Sequence, residues 1–499
     1  MKFYIIFVIF LQVFYSSYSE DRLIFIYTHF RHGARAPLKL NDSYYDILGE
    51  KWRNPGELTG VGQRMHYVLG LKNRKKYITQ GKFLSENYDS HEVLIFSSNY
   101  NRTMVSCSSQ LQGFFPIRDE LGFKLSEEQI NLAYPPIEID DDIQQDIDEL
   151  GSAALPHLMT LAPVRMVNEY ERKMRVYDIE ECREERDEIR KKNNENVQEL
   201  KDYIMNFNEK YAENWNKYFN KETADFSITE IYDICDSFLS NYVENNNMTE
   251  FKEKTGLDFQ ELNEDCFDFT GKYFLYSYHG DKEKVLAHVQ SSKLLREMLY
   301  YMKRRLDSDI SPENEDSNLK DFSRPRMIMT SGHDSTLSAD LVIIIKALGL
   351  DEANIYNFPR YASQFALEVR TDKESCSSYS DYYVLGIFDE LEIFKENVQD
   401  FINKLESELW SEEKVNDFCG FDSSNSSDST NNHDKKDNAK TAYKVLMSVF
   451  ICLSALLLAT TIFLAYKYSQ INKGNPRLEQ SINANNPNVT NNSMKNFNK

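Results

Sequence analysis

The chain has 499 residues, enough for two or three domains or one large elaborated domain, and its 41% hydrophobic and 27% charged residues are ordinary for a globular protein. A packed core is therefore expected, and wholesale disorder is excluded. Asp and Glu (79) outnumber Lys and Arg (58), which gives a net charge of −21. A chain this acidic lacks the clustered basic face that nucleic-acid binding needs, so we expect no nucleic-acid partner.

Residues 1–19 have the pattern of a secretory signal peptide. Lys2 is followed by an apolar run from Phe3 to Phe14 and then by small residues up to Ser19, after which we expect cleavage. The alternatives for this segment are a signal anchor and a buried strand.

Strand-like and helix-like patterns alternate along much of the chain. Apolar runs predict helices over Val285–Leu306 and Leu337–Leu348, and this alternation with strands indicates an α/β sheet domain. Ile179–Phe219 has no Gly or Pro and is dense in charge, which predicts a solvated helix or helix pair. The predicted strands are Leu23–Tyr27, Val93–Phe96, Met327–Thr330 and Tyr382–Phe388.

The C-terminal part has the pattern of a membrane anchor. The run 445–466 contains no charged residue and lies between Lys444 and Lys467, so it predicts one transmembrane helix. From residue 467 onward five Lys or Arg face one Glu, and a basic tail stays in the cytosol. The chain therefore reads as a single-pass type I membrane protein with its bulk in a lumen or outside the cell.

These patterns divide the chain into six parts. They are a signal peptide (1–19), an α/β core made of 20–125 and 270–419, a helical insertion (126–269), a flexible stalk (420–444), a transmembrane helix (445–466) and a cytosolic Asn-rich tail (467–499).

The cysteines and glycosylation acceptors fit an exported domain. Of the seven cysteines, Cys452 lies in the predicted span, and an even six outside the cytosol predict three disulfides of open connectivity. Asn41, Asn247 and Asn425 begin glycosylation acceptor sequences. The six cysteines are Cys107, Cys182, Cys235, Cys266, Cys376 and Cys419.

The first predicted strand runs into the segment RHGARAP, residues 31–37. Arg31 and Arg35 flank His32, and a guanidinium is a planar fork of donors that matches two phosphate oxygens. A neutral imidazole between two such forks would face the phosphorus of a bound phosphate, and it is nucleophilic. Gly33 would let the backbone approach a ligand closely. The alternative for this segment is a basic surface turn.

Two further segments follow predicted strands in the same way. Arg102 follows the second strand, and His333 and Asp334 follow the third. Alone, Arg102 is uninformative and Asp334 could be only a helix N-cap. However, ligands bind at the carboxyl ends of strands in open α/β sheets, where helix N-termini favour phosphate. The shared placement predicts one phosphate site, with no metal and no cofactor.

These segments together resemble the histidine acid phosphatase branch of the phosphoglycerate-mutase-like superfamily. The resemblance rests on RHGARAP at 31–37, NRT at 101–103 and GHDST at 332–336, with support from ELTGVGQR at 57–64 and Tyr278-His279-Gly280. It covers most of residues 22–419. It implies a phosphoglycerate-mutase-like central sheet flanked by helices, with 126–269 as a mainly helical cap.

The resemblance also implies a role for each residue. His32 matches the phosphate-accepting histidine and Asp334 the proton donor. The phosphate-binding residues are implied to be Arg31, Arg35, Arg102 and His333.

The chain departs from the family beside Arg102. The family usually has Asp at the positions of Asn99 and Asn101, so this chain has less negative charge there and an apparent glycosylation acceptor at 101–103. A glycan beside a phosphate pocket would block it, so we expect Asn101 to be bare.

The implied function is hydrolysis of small phosphate monoesters through a phosphohistidine, at acidic pH. A phytase-like enzyme, a lysophospholipid phosphatase and a non-catalytic ligand-binding ectodomain are the alternatives. Residues 468–471 (YSQI) resemble an endolysosomal sorting signal, which leaves a lysosome-like compartment and the cell surface as locations. The superfamily often forms dimers, and the oligomeric state stays open between monomer and homodimer.

Overall fold

The computed structural model describes residues 21–39, 54–116, 124–135, 139–156, 161–166, 183–218, 225–244, 248–280, 283–312, 324–351 and 358–419. All of these residues belong to one compact unit, Met1–Phe421. The predicted signal peptide, stalk, membrane span and tail lie outside the described residues, as do the acceptors Asn41, Asn247 and Asn425. None of the helices in the described ranges is both long and apolar enough to cross a bilayer.

A six-stranded mixed sheet forms the centre of the described fold. Its strands are β1 (Arg22–Arg31), β2 (Val93–Ser97), β3 (Met327–Gly332), β4 (Gln364–Thr371), β5 (Tyr383–Phe388) and β6 (Leu391–Asn397). They are arranged in the order β2-β3-β1-β4-β5-β6. β3 pairs in parallel with β1 and β2, whereas the other three pairings are antiparallel. The carboxyl ends of β1, β2 and β3 therefore lie at one edge of the sheet.

Helices make up most of the remaining described structure. They are α1 (Gly60–Arg74), α2 (Asn101–Phe114), α3 (Glu127–Leu132), α4 (Asp141–Leu150), α5 (Arg183–Asn196), α6 (Gln198–Phe207), α7 (Glu213–Tyr218), α8 (Ile228–Val243), α9 (Met248–Thr255), α10 (Phe259–His279), α11 (Val285–Ile310), α12 (Asp334–Leu348), α13 (Val398–Glu408) and α14 (Glu412–Phe418). Short turns of other helical type lie at Lys75–Gln80, Asn208–Ala212 and Tyr379–Asp381.

The two faces of the sheet bury different sets of side chains, because successive residues of a strand point to opposite faces. Phe25 and Tyr27 of β1 join a cluster with residues of α11, α12 and α13. Ile26 and Phe30 join a second cluster with Leu111 of α2. The sheet is thus covered by helices on both sides, the α/β layering expected from the sequence.

The helices α6–α10 have a hydrophobic cluster of their own, which contains Trp215, Phe238 and Phe269. Helix α10 links this cluster to the sheet, because Phe274, farther along α10, packs in the cluster that contains Phe25. A disulfide between Cys235 and Cys266 joins α8 to α10.

The prediction of three disulfides is wrong. Cys235 and Cys266 are joined and Cys419 is also disulfide-bonded, but Cys107 and Cys376 are free thiols. Cys107 is buried against one face of the sheet, whereas Cys376 packs against the cluster on the other face. The sheet separates these two sulfurs, so they do not meet the distance that a disulfide requires.

Candidate active site

The predicted site residues meet at the carboxyl ends of β1, β2 and β3. Backbone bonds hold these ends in register: the N–H of His32 donates to the Gly332 carbonyl (3.0 Å), and the N–H of Ser98 donates to the Ser331 carbonyl (3.1 Å). The rings of His32 and His333 stand edge to face, with their centroids 5.6 Å apart. The parallel pairing therefore joins segments that are far apart in the sequence.

The close backbone approach expected at Gly33 is made to helix α1. A Cβ atom on Gly33 would lie 2.4 Å from the carbonyl oxygen of Gly62, and one on Gly62 would lie 2.2 Å from that of Ala34. Both positions therefore require glycine, because any side chain would collide with these carbonyl oxygens. The N–H of Thr59, the N-cap of α1, also donates to the Ala34 carbonyl (3.0 Å). These contacts fix the loop that carries His32.

His32 is buried and held as a neutral, nucleophilic imidazole. Its Nδ1 lies 2.8 Å from the carbonyl oxygen of Gly33. Because a carbonyl only accepts, Nδ1 carries the proton and Nε2 keeps its lone pair. Burial lowers the pKa of His32 well below its usual value, and the charges of Arg102, Arg31 and Arg35 lower it further. The imidazole therefore stays unprotonated in moderately acidic solution.

Arg31 connects the end of β1 to the start of α12. Its Nη2 lies 2.6 Å from Oδ2 of Asp334, and its Nη1 donates to the carbonyl of Pro359 (2.8 Å). The guanidinium carbon lies 4.4 Å from the ring centroid of Tyr361, a cation–π contact. The buried Nε–H has no hydrogen-bond partner among the described residues. Arg31 is therefore held on several sides while its Nε–H remains without a partner there.

Asp334 is the first residue of α12, and His333 is the N-cap. The interpretation of Asp334 as only an N-cap is therefore not supported. Its Oδ1 accepts from the adjacent N–H of Ser335 (2.7 Å), while Oδ2 faces Arg31. The side chain is 15% exposed, so its carboxyl group is in contact with solvent.

Arg35 has a partner that the sequence analysis missed, Asp236 on α8. Its Nη2 lies 2.6 Å from Oδ1 of Asp236, and its Nη1 lies 3.3 Å from Oδ2. Burial lowers the pKa of Arg35, but Asp236, Tyr361 and Tyr232 together outweigh burial and raise this pKa above its usual value. No motif marks Asp236, because it lies in an ordinary helical pattern far from residues 31–37.

Arg102 and His333 complete the site beside β2. Nη2 of Arg102 lies 3.4 Å from Nδ1 of His333, and the guanidinium carbon lies 4.5 Å from the Tyr100 ring centroid. Nε2 of His333 lies 2.9 Å from Oγ of Ser98. Because a guanidinium only donates, Nδ1 of His333 accepts and Nε2 donates to Ser98. Ser98 thus fixes the ring that stands against His32, and it is a second residue that no motif marked.

The departure from the family at Asn101 is accommodated by a nearby carboxylate. Asn101 is exposed, and its Nδ2 donates to Oε1 of Glu57 (3.0 Å). A carboxylate therefore still lies next to the first turn of α2, which carries Arg102.

A small cavity opens beside these groups. Two larger clefts, about 640 Å³ between α1 and the β5–β6 hairpin and about 770 Å³ between α10 and the same hairpin, contain none of the predicted site residues, so cleft size does not locate the chemistry here. The small cavity is lined by Arg31 and mainly by aromatic and acidic side chains. The latter include Tyr232, Asp236, Asp334, Phe358 and Tyr361.

The site thus combines a neutral imidazole that keeps a lone pair with three guanidinium groups whose charges act on it. Residues 22–389 match the family described as histidine phosphatase superfamily (branch 2), and the chain belongs to this family.

Three curated proteins show where the sequence similarity lies. The chain is 39% identical over 108 residues to putative acid phosphatase 11 of Caenorhabditis elegans (21% of this chain, 25% of that protein). It is 38% identical over 100 residues to human testicular acid phosphatase (19% and 23%) and 32% identical over 120 residues to rat lysosomal acid phosphatase (23% and 26%). The chain thus spans about a quarter of the length of these relatives.

Solved structures share the fold at low sequence identity. The phytase of Klebsiella sp ASR1 has a TM-score of 0.51 at 13% identity, over 78% of this chain and 97% of that one. The phytase of Hafnia alvei in complex with tartrate has a TM-score of 0.52 at 12% identity, over 80% and 98%. This similarity concerns the fold alone.

Proposed function

We propose that this chain is an acid phosphatase that hydrolyses phosphate monoesters through a phosphohistidine at His32. The observation that carries the proposal is the state of His32: Nδ1–H is held by the Gly33 carbonyl, Nε2 keeps its lone pair, and the pKa is lowered by burial and by three arginines. An imidazole in that state is a nucleophile at the acidic pH where most free histidines are protonated.

Arg31, Arg35 and Arg102 are proposed to hold the phosphate. A phosphate monoester carries up to two negative charges, and charge on its oxygens must be balanced in the transition state. The charges of all three lower the pKa of His32, and this proximity to the proposed nucleophile supports the assignment. His333, whose ring is fixed by Ser98, is proposed to contact the same phosphate.

The reaction then has two steps. In the first, Nε2 of His32 forms a bond to phosphorus while the bond to the leaving oxygen breaks, and the protonated carboxyl of Asp334 gives its proton to that oxygen. In the second, water attacks the phosphohistidine and gives a proton to the Asp334 carboxylate, which restores the enzyme and releases phosphate. Neither step needs a metal or an organic cofactor.

The helices α5–α10 are proposed to act as a cap over this site, within the insertion 126–269. Support comes from α8, because Tyr232 and Asp236 line the same cavity as Arg31 and Asp334. The walls that select the leaving group would then come from the cap and from the aromatic residues Phe358 and Tyr361.

The test is hydrolysis of an aryl phosphate at pH 4–5 by the ectodomain and by His32→Ala. We expect the wild type to turn over and the variant to lose all turnover, because no other group forms the bond to phosphorus. Base quenching with labelled substrate should trap acid-labile, base-stable label on the wild type only. Label that persists on His32→Ala would show that another residue is the nucleophile. Hydrolysis of inositol hexakisphosphate in the same assay would favour the phytase-like alternative.

We also propose a type I membrane topology, with the catalytic part in a lysosome-like lumen or at the cell surface. Support comes from the signal pattern, the uncharged run 445–466 and the similarity to a lysosomal acid phosphatase. Protease added to sealed vesicles should digest a tag placed after Lys499 and spare the glycosylated part. A tag protected together with the glycans would contradict this topology.

A further inference from the structure

The contacts of Arg35 divide its donors into two groups. A guanidinium carries five N–H donors. Nη1 donates to the Ala36 carbonyl (3.0 Å) and to Oδ2 of Asp236 (3.3 Å), and Nη2 donates to Oδ1 of Asp236 (2.6 Å). The remaining donors are the second Nη2–H and the Nε–H, which is buried without a hydrogen-bond partner in the described ranges. These two donors lie side by side on one edge of the planar group.

A guanidinium edge with two parallel N–H groups matches two oxygens of a phosphate. We propose that Asp236 is a positioning residue: it grips Arg35 by the Nη1–Nη2 edge so that the Nε–Nη2 edge is presented to the phosphate at His32. The inference rests on the proposed function, because it assigns Arg35 to the phosphate. It adds a residue of the helical insertion to the machinery that orients the substrate.

Asp236 is itself anchored well enough to hold Arg35 in one orientation. Its Oδ2 also accepts from the backbone N–H of Leu38 (2.9 Å). The carboxylate therefore contacts both ends of the segment Arg35–Leu38. Its side chain is only 11% exposed. The adjacent Cys235 is joined to Cys266, which holds α8 against α10.

The opposite interpretation is that Asp236 competes with the substrate for Arg35. Two observations favour positioning. The carboxylate bonds only the Nη1–Nη2 edge of Arg35 and leaves the buried Nε–H without a hydrogen-bond partner in the described ranges. In addition, its bond to the Leu38 N–H would be broken if phosphate displaced it, so displacement has a cost that positioning does not. The two interpretations predict opposite signs for the loss of this carboxylate.

The first experiment compares Asp236→Asn with Asp233→Asn, using aryl phosphate hydrolysis. Both variants remove one charge from the same part of α8, but Asp233 pairs with Lys39 instead of Arg35. We expect Asp236→Asn to lower kcat/KM by about 10- to 100-fold, as for a misplaced binding group. Asp233→Asn should stay within about twofold, and Asp236→Glu, which keeps a carboxylate, should recover part of the loss.

A double-mutant cycle with Arg35→Ala tests whether Asp236 acts through Arg35. If it does, Asp236→Asn costs no further activity once Arg35 is absent. The same factor lost in both backgrounds would show that Asp236 acts elsewhere and would overturn the inference. Unchanged or increased kcat/KM in Asp236→Asn would overturn it as well. If that variant does not fold, the cycle is run with Asp236→Glu and the same criteria apply.

Binding of inorganic phosphate, measured by calorimetry, separates this inference from the proposed function. Positioning predicts weaker phosphate binding in Asp236→Asn, whereas competition predicts tighter binding. A wild type that binds phosphate but hydrolyses no monoester would refute the proposed function, and the phosphate titration would still decide the role of Asp236. Equal phosphate affinity in wild type and Asp236→Asn would refute the positioning role even in an active enzyme.

Discussion

At the scale of single residues, the site gives the two proposed catalytic groups, His32 and Asp334, different surroundings. His32 faces three positive charges and is neutral, whereas Asp334 lies at the first turn of α12 with Arg31 on one oxygen and the Ser335 N–H on the other. In the proposed reaction the two groups have different roles, so a substitution of Asp334 need not prevent formation of the phosphohistidine.

Asp334→Asn should affect substrates according to their leaving group. An alkoxide needs a proton as it departs, so we expect the rate for an alkyl phosphate to fall by about 10²- to 10⁴-fold. A phenolate with electron-withdrawing substituents leaves without that help, so an aryl phosphate should lose much less. Rates are measured for both substrates with the wild type and the variant, under conditions where chemistry limits turnover. An equal loss for both substrates would show that Asp334 is not the leaving-group acid.

At the scale of elements, carboxylates on and directly after α8 contact the segment between β1 and α1. Asp233 and Asp236 on α8 contact Lys39 and Arg35. Glu244, which follows α8, accepts from the Thr59 hydroxyl (2.5 Å). Asp236 pairs with Arg35 itself, whereas Lys39, the partner of Asp233, is none of the predicted site residues, so α8 reaches the site through Asp236.

The sequence patterns predicted four of the six strands and failed for reasons visible in the other two. β4 contains Glu368, a buried carboxylate bound by Lys76, Tyr77 and Arg370, so it does not read as an apolar run. The alternation of Phe365, Leu367 and Val369 was nevertheless a usable signal. β6 is a largely exposed edge strand, and its sequence resembles any polar surface segment.

The same division applies to the site. Arg31, His32, Arg102, His333 and Asp334 were predictable because each follows a strand that the pattern identified, and parallel strands place such residues at one edge. Asp236 was not predictable, because its meeting with Arg35 depends on how a helical insertion folds back over the sheet. Local patterns identify what stands at a strand end but carry no information on which distant helix covers it.

At the scale of the whole molecule, the core holds histidines that resist protonation. His66 is fully buried on α1, and its Nδ1 lies 3.1 Å from Oε1 of Gln110. His288 on α11 stacks against Trp410 at 5.2 Å. Burial lowers the pKa of each to about 4, although Gln110 and Glu408 act in the opposite direction.

These two histidines should make the fold less stable as the pH falls. The pKa of about 4 in the folded state lies below the value near 6.5 expected for the unfolded chain, so between these values the unfolded chain binds protons that the folded chain does not. The free energy of unfolding therefore declines as the pH is lowered from 6.5 towards 4. Each histidine should account for about 2 kcal/mol of the decline between pH 7.5 and pH 5.

His66→Gln and His288→Gln remove these titrations while keeping polar side chains. We expect each variant to show a change in unfolding free energy between pH 7.5 and pH 5 that is smaller than the wild-type change by about 2 kcal/mol. The two reductions should add in the double variant, because the residues have no shared partners. Guanidinium unfolding at the two pH values measures this, and only the difference between pH values is used, so any cost of the substitution itself cancels. A pH dependence equal to that of the wild type in both variants would mean that these imidazoles take up protons in the folded state. Burial alone would then be insufficient to keep a core imidazole neutral in acid, and the low pKa of His32 would depend on the charges of Arg102, Arg31 and Arg35.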